Sequence, residues 1–248
     1  MLSTNEIKFL TSLGQKKYRQ SEGYSVIEHA KVILEPDLRP FWQKIYVTGE
    51  FMAQHPEFTG FKNLEVITDK EMAKISQQTT PPGILASFKI VPPADFSQNS
   101  MADLVLWIDG LQDPGNLGTI IRTAEWFGVK NIFLSPDCAE IANPKTVAAT
   151  MGAFWRVNLY ADSDLIALAP RFKQMGYQII ATTLDGDENL NLKTEKTVLI
   201  IGGEARGVSA DLLKEVDSSF KIPGFGQSES LNAAVAAGIV LYKVKGLK

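Results

Sequence analysis

Beyond residue 103 the chain repeats one pattern: a short apolar, β-branched run, then a helical stretch. The runs are Leu104–Ile108, Asn131–Leu134, Arg156–Leu159, Gln178–Thr182 and Thr197–Ile201. A strand with one wet face alternates apolar and polar residues, whereas near-continuous apolar runs belong to parallel strands buried on both sides. Between them lie expected helices at Thr119–Phe127, Lys145–Met151, Ser163–Met175 and Asp211–Val216, and an alanine-rich helix, Leu231–Lys245, closes the chain. Alternation of this kind folds as an α/β domain, a parallel sheet with helices on both faces. Such sheets bind ligands beyond the carboxyl ends of their strands.

Residues 1–98 read differently. An amphipathic helix is expected over residues 5–20, with Ile7, Leu10, Leu13 and Tyr18 on one side. A weak strand at Tyr24–Ile27 precedes a helix around Glu28–Leu34. Strands follow at Lys44–Thr48 and Leu64–Ile67, then a helix with Asp69 as its cap. Ile84–Ile90 alternates like an edge strand. Val91–Ser100 is proline-rich and polar, the best linker in the chain, so the expected domains are 1–98 and 99–248. A length of 248 residues accommodates both.

Cys138 is the only cysteine, which leaves no intrachain disulfide and no CxxC metal site. No apolar stretch reaches the roughly 18 residues of a membrane-spanning helix, and the N-terminus lacks the layout of a signal peptide. A cytoplasmic setting, without membrane or metal, is expected. The net charge is −3, with residues 1–98 neutral (11 basic, 11 acidic) and residues 99–248 carrying 14 basic and 17 acidic groups. That balance disfavours nucleic acid unless the basic groups cluster on one face. The one dense basic run, Lys16-Lys17-Tyr18-Arg19, is either a solvated helix C-terminus favoured by the macrodipole or a set of phosphate contacts.

Three segments carry chemistry. Asp109–Gly118 follows the first parallel strand, and the helix expected from Thr119 points its free N–H groups back at that turn. Only Gly115-x-x-Gly118 is present, not the GxGxxG of a dinucleotide site. Arg122 then falls in the first helical turn, where the dipole disfavours a cation, so an anionic partner is expected there; the plainer alternative is pairing with Glu125 or Asp109. Val198–Glu204 is a buried strand ending in Gly202, Gly203 and Glu204. The glycines allow close approach of a ring or of backbone, and Glu204 is either a turn cap or a working carboxylate. Phe220–Asn232 contains Gly224 and Gly226, a loop able to wrap a ligand. Ser228 or Ser230 can cap the last helix, but a cap needs one side chain, not Ser-Glu-Ser-x-Asn. Ala233, Ala234, Ala236, Ala237 and Gly238 give that helix small side chains on nearly every face, which suits a tightly packed or dimeric core.

Together, in this order, the segments resemble the three motifs of the SpoU (TrmH) family of the SPOUT RNA methyltransferases. Asn116, Gly118 and Arg122 match the first, Gly202 and Glu204 the second, and Ile222, Pro223, Ser230, Leu231 and Asn232 the third. The match runs from about Leu104 to Tyr242. More loosely, residues 1–98 resemble the L30e-like substrate-binding domain that precedes many members. The chain departs from the family at Ala205, where a glycine is common, at Ala148, where a basic residue is frequent, and at Glu28-His29, where Glu-Gly is usual.

The resemblance implies a trefoil knot formed by the chain after Gly202. It also implies S-adenosylmethionine lined by Gly202, Gly203, Ile222 and Leu231, a homodimer, and 2′-O-methylation of a ribose in rRNA, with tRNA second. A ribose hydroxyl is a weak nucleophile, so the protein must orient it and help remove its proton. A guanidinium is almost never deprotonated. Arg122 is therefore read as a clamp on the adjacent phosphate, with Asn116, Glu204, Ser230 and Asn232 holding it and the ribose. A non-catalytic RNA-binding protein that keeps the cofactor pocket is the alternative, and the joint retention of those five residues counts against it.

Overall fold

The computed structural model describes residues 1–92 and 101–246; most of the expected linker, residues 93–100, lies outside the described residues. The chain divides into two compact units. One is Met1–Pro92 with Ala142–Gly152; the other is Pro93–Ile141 with Ala153–Lys248.

The first unit opens with α1 (Thr4–Ser12) and α2 (Lys16–Glu22) rather than one helix over 5–20. At the break, Arg19 Nη1 donates to the Leu13 carbonyl at 2.7 Å, satisfying an acceptor that the end of α1 leaves without an intrahelical partner. Strand β1 (Tyr24–Ile27), α3 (Ala30–Leu34), β2 (Trp42–Thr48), α4 (Gly49–Gln54), β3 (Leu64–Ile67), α5 (Asp69–Ile75) and β4 (Ile84–Lys89) follow. The sheet order is β1-β4-β2-β3, with β2 and β3 parallel and β4 antiparallel to both neighbours. Thus β4 is an inner strand, not the expected edge, and Ile84 to Phe88 are all buried. The cap of α5 is Thr68, one residue before Asp69. Its hydroxyl accepts from the Glu71 amide, and the Glu71 carboxylate accepts from the Thr68 amide, closing a capping box. A helix from later in the chain, Pro144–Ala149, packs on β1, and the buried Ser25 hydroxyl donates to the Ala142 carbonyl at 2.6 Å.

The second unit begins with β5 (Leu104–Asp109), α6 (Pro114–Trp126) and β6 (Asn131–Leu134); the 144–149 helix is α7. Then come β7 (Asn158–Tyr160), α8 (Leu165–Gln174), β8 (Gln178–Asp187), β9 (Thr197–Gly202), α9 (Ala210–Leu213), β10 (Ser218–Phe220) and α10 (Ala233–Gly246). All six strands are parallel, in the order β10-β8-β9-β5-β6-β7. Every residue of β5 and β6 is buried, as the apolar runs require. On one face Leu106, Ile108, Leu199 and Ile201 pack with Ile120, Ile121, Ala237, Val240 and Leu241 of α6 and α10. On the other, Trp107, Phe133 and Phe172 meet edge to face. Among the described residues no helix is long and apolar enough to cross a membrane.

Candidate active site

The start of α6 sets the geometry. Asp113 is its cap, with the side chain accepting from the Asn116 amide at 2.7 Å, and Pro114 occupies the first helical position, where a missing N–H costs nothing. The helix therefore begins five residues before the expected Thr119, and Gly115 and Gly118 lie inside it. Asn116 sits in the first turn, and Arg122 lies two turns in. The expectation that Arg122 opposes the dipole at a helix N-terminus is thus corrected: the Asp-Pro pair, not the glycines, marks the start. Arg122 is exposed, and no hydrogen bond or ion pair to Glu125, Asp109 or any other described residue engages it.

At the carboxyl end of β9 the two glycines are required by the chain itself. A Cβ on Gly203 would collide with the Gly110 carbonyl oxygen and lie 2.8 Å from its carbon; one on Gly202 would collide with the Gly207–Val208 peptide. The Gly203 amide donates to Asp109 O at 2.8 Å, and Gly207 N to Gly203 O at 2.9 Å. The 203–207 turn thereby lies against Gly110 at the end of β5, with backbone rather than a ligand filling the space beside both glycines. Asp109, only 8% exposed, accepts from the Ser209 amide at 2.7 Å. Above Gly110, Arg206 pairs with Asp137 at 2.6 Å. The Ser135 hydroxyl, which also donates to Asp137, and then Arg206 hold that carboxyl below its ordinary value. Burial pushes the Cys138 thiol beside it up.

Three motif residues far apart in sequence join in one hydrogen-bonded chain. Asn116 Nδ2 donates to Glu204 Oε1 at 2.5 Å, and Asn232 Nδ2 donates to Asn116 Oδ1 at 3.0 Å. Asn232 Oδ1 accepts from the amides of Ala234 and Val235 at 2.9 and 3.3 Å, so Asn232, not Ser228 or Ser230, caps α10. The polarity of the chain follows from that end. The free N–H groups of α10 accept nothing, which turns the Asn232 oxygen toward them and its nitrogen toward Asn116. Asn116 must then present its oxygen to Asn232 and its nitrogen to a carboxylate, which can only accept. Glu204 is thus a partner for Asn116 rather than a turn cap.

Ser230 is exposed, two residues before Asn232, and makes no hydrogen bond to this network among the described residues. Ile222 packs against the core below the loop, and Leu231 is half exposed. Sequence reasoning missed Asp113, the Asp137–Arg206 pair and Thr183. The Asp113-Pro114 dipeptide was the available signal for the first. Thr183, in the outer part of β8, has a buried hydroxyl oxygen without a hydrogen-bond partner, unlike Thr182, whose hydroxyl donates to Ile200 O at 3.0 Å. An orphaned polar atom at the carboxyl end of the sheet fits a ligand that brings a polar group to that edge, as an adenosine does.

Comparison with known proteins agrees with this geometry. Residues 103–242 match the SpoU rRNA methylase family, and residues 4–86 match the MRM3-like substrate-binding domain. The 23S rRNA (guanosine(2553)-2′-O)-methyltransferase RlmP of Bacillus subtilis is 30% identical, over 97% of this chain and 96% of its own. A putative RNA methyltransferase of the TrmH family from Porphyromonas gingivalis superimposes with a TM-score of 0.84 at 32% identity, covering both chains completely. An AdoMet-bound rRNA methyltransferase from Sinorhizobium meliloti gives 0.80 at 26% identity, covering 100% of this chain and 97% of its own.

Proposed function

The chain belongs to the SpoU rRNA methylase family, and from that premise we propose that it methylates a ribose 2′-hydroxyl of RNA with S-adenosylmethionine as donor. The observation that carries this reading is the chain Glu204–Asn116–Asn232, which takes one link from each motif and ties them at the carboxyl edge of the parallel sheet. Ribosomal RNA is the preferred substrate over tRNA, because RlmP, similar over nearly the whole of both chains, is named for 23S rRNA.

The sulfonium of the bound donor supplies an electrophilic methyl group. Ile222 and Leu231 line its pocket in this reading, with Gly202 and Gly203 contributing backbone groups only, since their Cβ sides are filled by the chain itself, and with the Thr183 hydroxyl as a further polar contact. The protein's own task is to place the hydroxyl. Arg122, exposed and unpaired, clamps the neighbouring phosphate, and its fixed positive charge favours loss of the hydroxyl proton without itself accepting it. The locked amides of Asn116 and Asn232 keep the floor of the site rigid, and the free Ser230 hydroxyl is left to bond the ribose. The family's knot, in which the chain after Gly202 threads a loop, belongs to the same reading.

The first unit recognises the RNA. Lys16 and Lys17 stand exposed at the start of α2, whereas Arg19 is only 2% exposed and serves the fold. The protein acts as a homodimer in the cytoplasm. Val235, Ile239 and Tyr242 form an exposed stripe on α10, and Trp126 on α6 is 83% exposed; covering such apolar surface favours a second copy.

Mapping 2′-O-methyl groups in rRNA and tRNA from cells with and without the protein tests the activity. Loss of one ribosomal site is expected. Unchanged maps, together with no transfer from tritiated S-adenosylmethionine to rRNA by the purified protein, would overturn it.

A further inference from the structure

Residues 224–230 are seven exposed positions after Pro223, in a run that continues through Leu231 and Asn232. Six are glycine, serine, glutamine or glutamate. The seventh, Phe225, is 100% exposed, beyond Phe41, the next most exposed phenylalanine among the described residues at 41%. A benzyl side chain held wholly in water is unfavourable, and this one stands in the loop that leads directly into Asn232 and the hydrogen-bonded site.

The flanking glycines sharpen the point. Gly202 and Gly203 are glycine because backbone occupies the place of a Cβ. Gly224 and Gly226 have nothing within 4 Å of such an atom, and neither has a positive φ. In this conformation any residue would fit at either position. Two glycines without a steric reason in this conformation, one on each side of an exposed ring, leave the backbone beside that ring freer than other residues would.

Three occupants could cover the ring: the methyl donor, a second copy of the chain, or RNA. The loop already sends one apolar side chain inward, Ile222, which packs against the core, while Phe225 stands fully in solvent. A second copy needs a contiguous apolar patch, and the neighbours here are Gln227, Ser228, Glu229 and Ser230. A single aromatic ring on an exposed polar loop suits an unpaired nucleobase, since every base offers a π face and stacking requires no particular edge.

We infer that Phe225 is the ring on which a nucleobase at or beside the methylated nucleotide stacks, so that the loop closes on RNA rather than on the donor. The inference rests on the RNA-methylating reading above. Stacking on one base is worth about ten- to a hundredfold in binding, and that factor is expected in kcat/KM for RNA. The test uses the full chain, an unmodified 23S rRNA transcript and tritiated S-adenosylmethionine, with Phe225→Ala, Phe225→Leu and Phe225→Trp. The Ala and Leu variants are expected to lose roughly ten- to a hundredfold in kcat/KM for RNA. The Trp variant should retain activity, and all three should bind the donor and scatter light as the parent does. Full activity of the Leu variant would overturn the inference, because an apolar side chain without a π face would then suffice. A drop in donor affinity in the Ala variant would assign the ring to the cofactor, and a drop in its mass would assign it to the second copy; either overturns the proposal. Absence of transfer by the parent protein would instead be a failure of the methyltransferase reading.

Discussion

Replacing Asn116 with Asp tests the polarity of the site in a way that no deletion can. The substitution turns Nδ2, a donor 2.5 Å from Glu204 Oε1, into an oxygen. Asn232, held by the amides of α10, still presents its nitrogen to the other oxygen of residue 116, so the new oxygen is driven toward Glu204. Two unit charges about 4 Å apart repel by about 4 kcal/mol at an effective dielectric constant of 20 and by about 1 kcal/mol in bulk water. Glu204 is exposed and Asn116 half-buried, so the lower part of that range applies, about 1–2 kcal/mol. Protonation relieves the clash, which raises the pKa of one carboxyl of the pair in the folded variant above its unfolded value. Folded protein then holds that proton more tightly than unfolded chain does. The variant is therefore least penalised below an ordinary carboxylate pKa near 4 and loses stability as pH rises through the raised value. Asn116→Ala removes both hydrogen bonds without adding charge, and its deficit should be flat with pH. Melting temperatures of both variants and the parent between pH 4 and 8 decide the matter. The Asp deficit should reach about 2–8 °C at pH 7 and shrink toward pH 4. An Asp deficit independent of pH, or an Asp variant as stable as the parent at pH 7, would refute the facing of residues 116 and 204.

Four further outcomes follow from contacts described above. Gly203→Ala forces a methyl group into the Gly110 peptide and should cost about 1–3 kcal/mol or more by thermal unfolding, while Gly224→Ala leaves the melting temperature unchanged or slightly raised. Arg19→Ala should lose about 1.5–3 kcal/mol from a buried charged hydrogen bond; Lys16→Ala and Lys17→Ala should not destabilise, but each should shallow the salt slope of RNA binding by about one unit. Arg122→Ala should abolish transfer while calorimetry finds donor affinity nearly intact, and substantial residual transfer would remove Arg122 from its role. The Thr68 amide and hydroxyl and the Leu2 amide hold the Glu71 carboxyl at about 2. That contribution is present above an ordinary carboxylate pKa and lost as pH falls toward 2, so Glu71→Gln should weaken the protein at pH 7 and flatten its acid unfolding over that interval.

The parallel sheet was legible because both-sided burial writes itself into each strand as an apolar run; β5, β6 and β9 stand where those runs lie. Strand β10 was not, since three residues, Ser218–Phe220, carry no period, and their pairing with β8 depends on chain more than 30 residues earlier. The inner position of β4 was hidden for a related reason: alternation reports on faces, not on which neighbours pair with a strand. At the site, the motif residues could be named from sequence, but the error at α6 came from weighing glycines as turn formers above an Asp-Pro start. No local rule could show that Asn116 bonds both Glu204 and Asn232, because those partners lie 88 and 116 positions away.

The helix α7 on β1 bears on how the protein is made. Ser25 waits for a carbonyl 117 residues downstream, so the first unit cannot be complete when residue 92 leaves the ribosome. At about 5–20 residues per second, synthesis of the 60 residues from there to Gly152 takes about 3–12 s. During that interval β1 lacks the helix that covers it, and strands β5 and β6 are already emerging. A nascent chain is then most exposed to wrong pairing or to chaperone capture, and slow codons placed just after residue 92 would lengthen that exposure while the same codons after residue 152 would not.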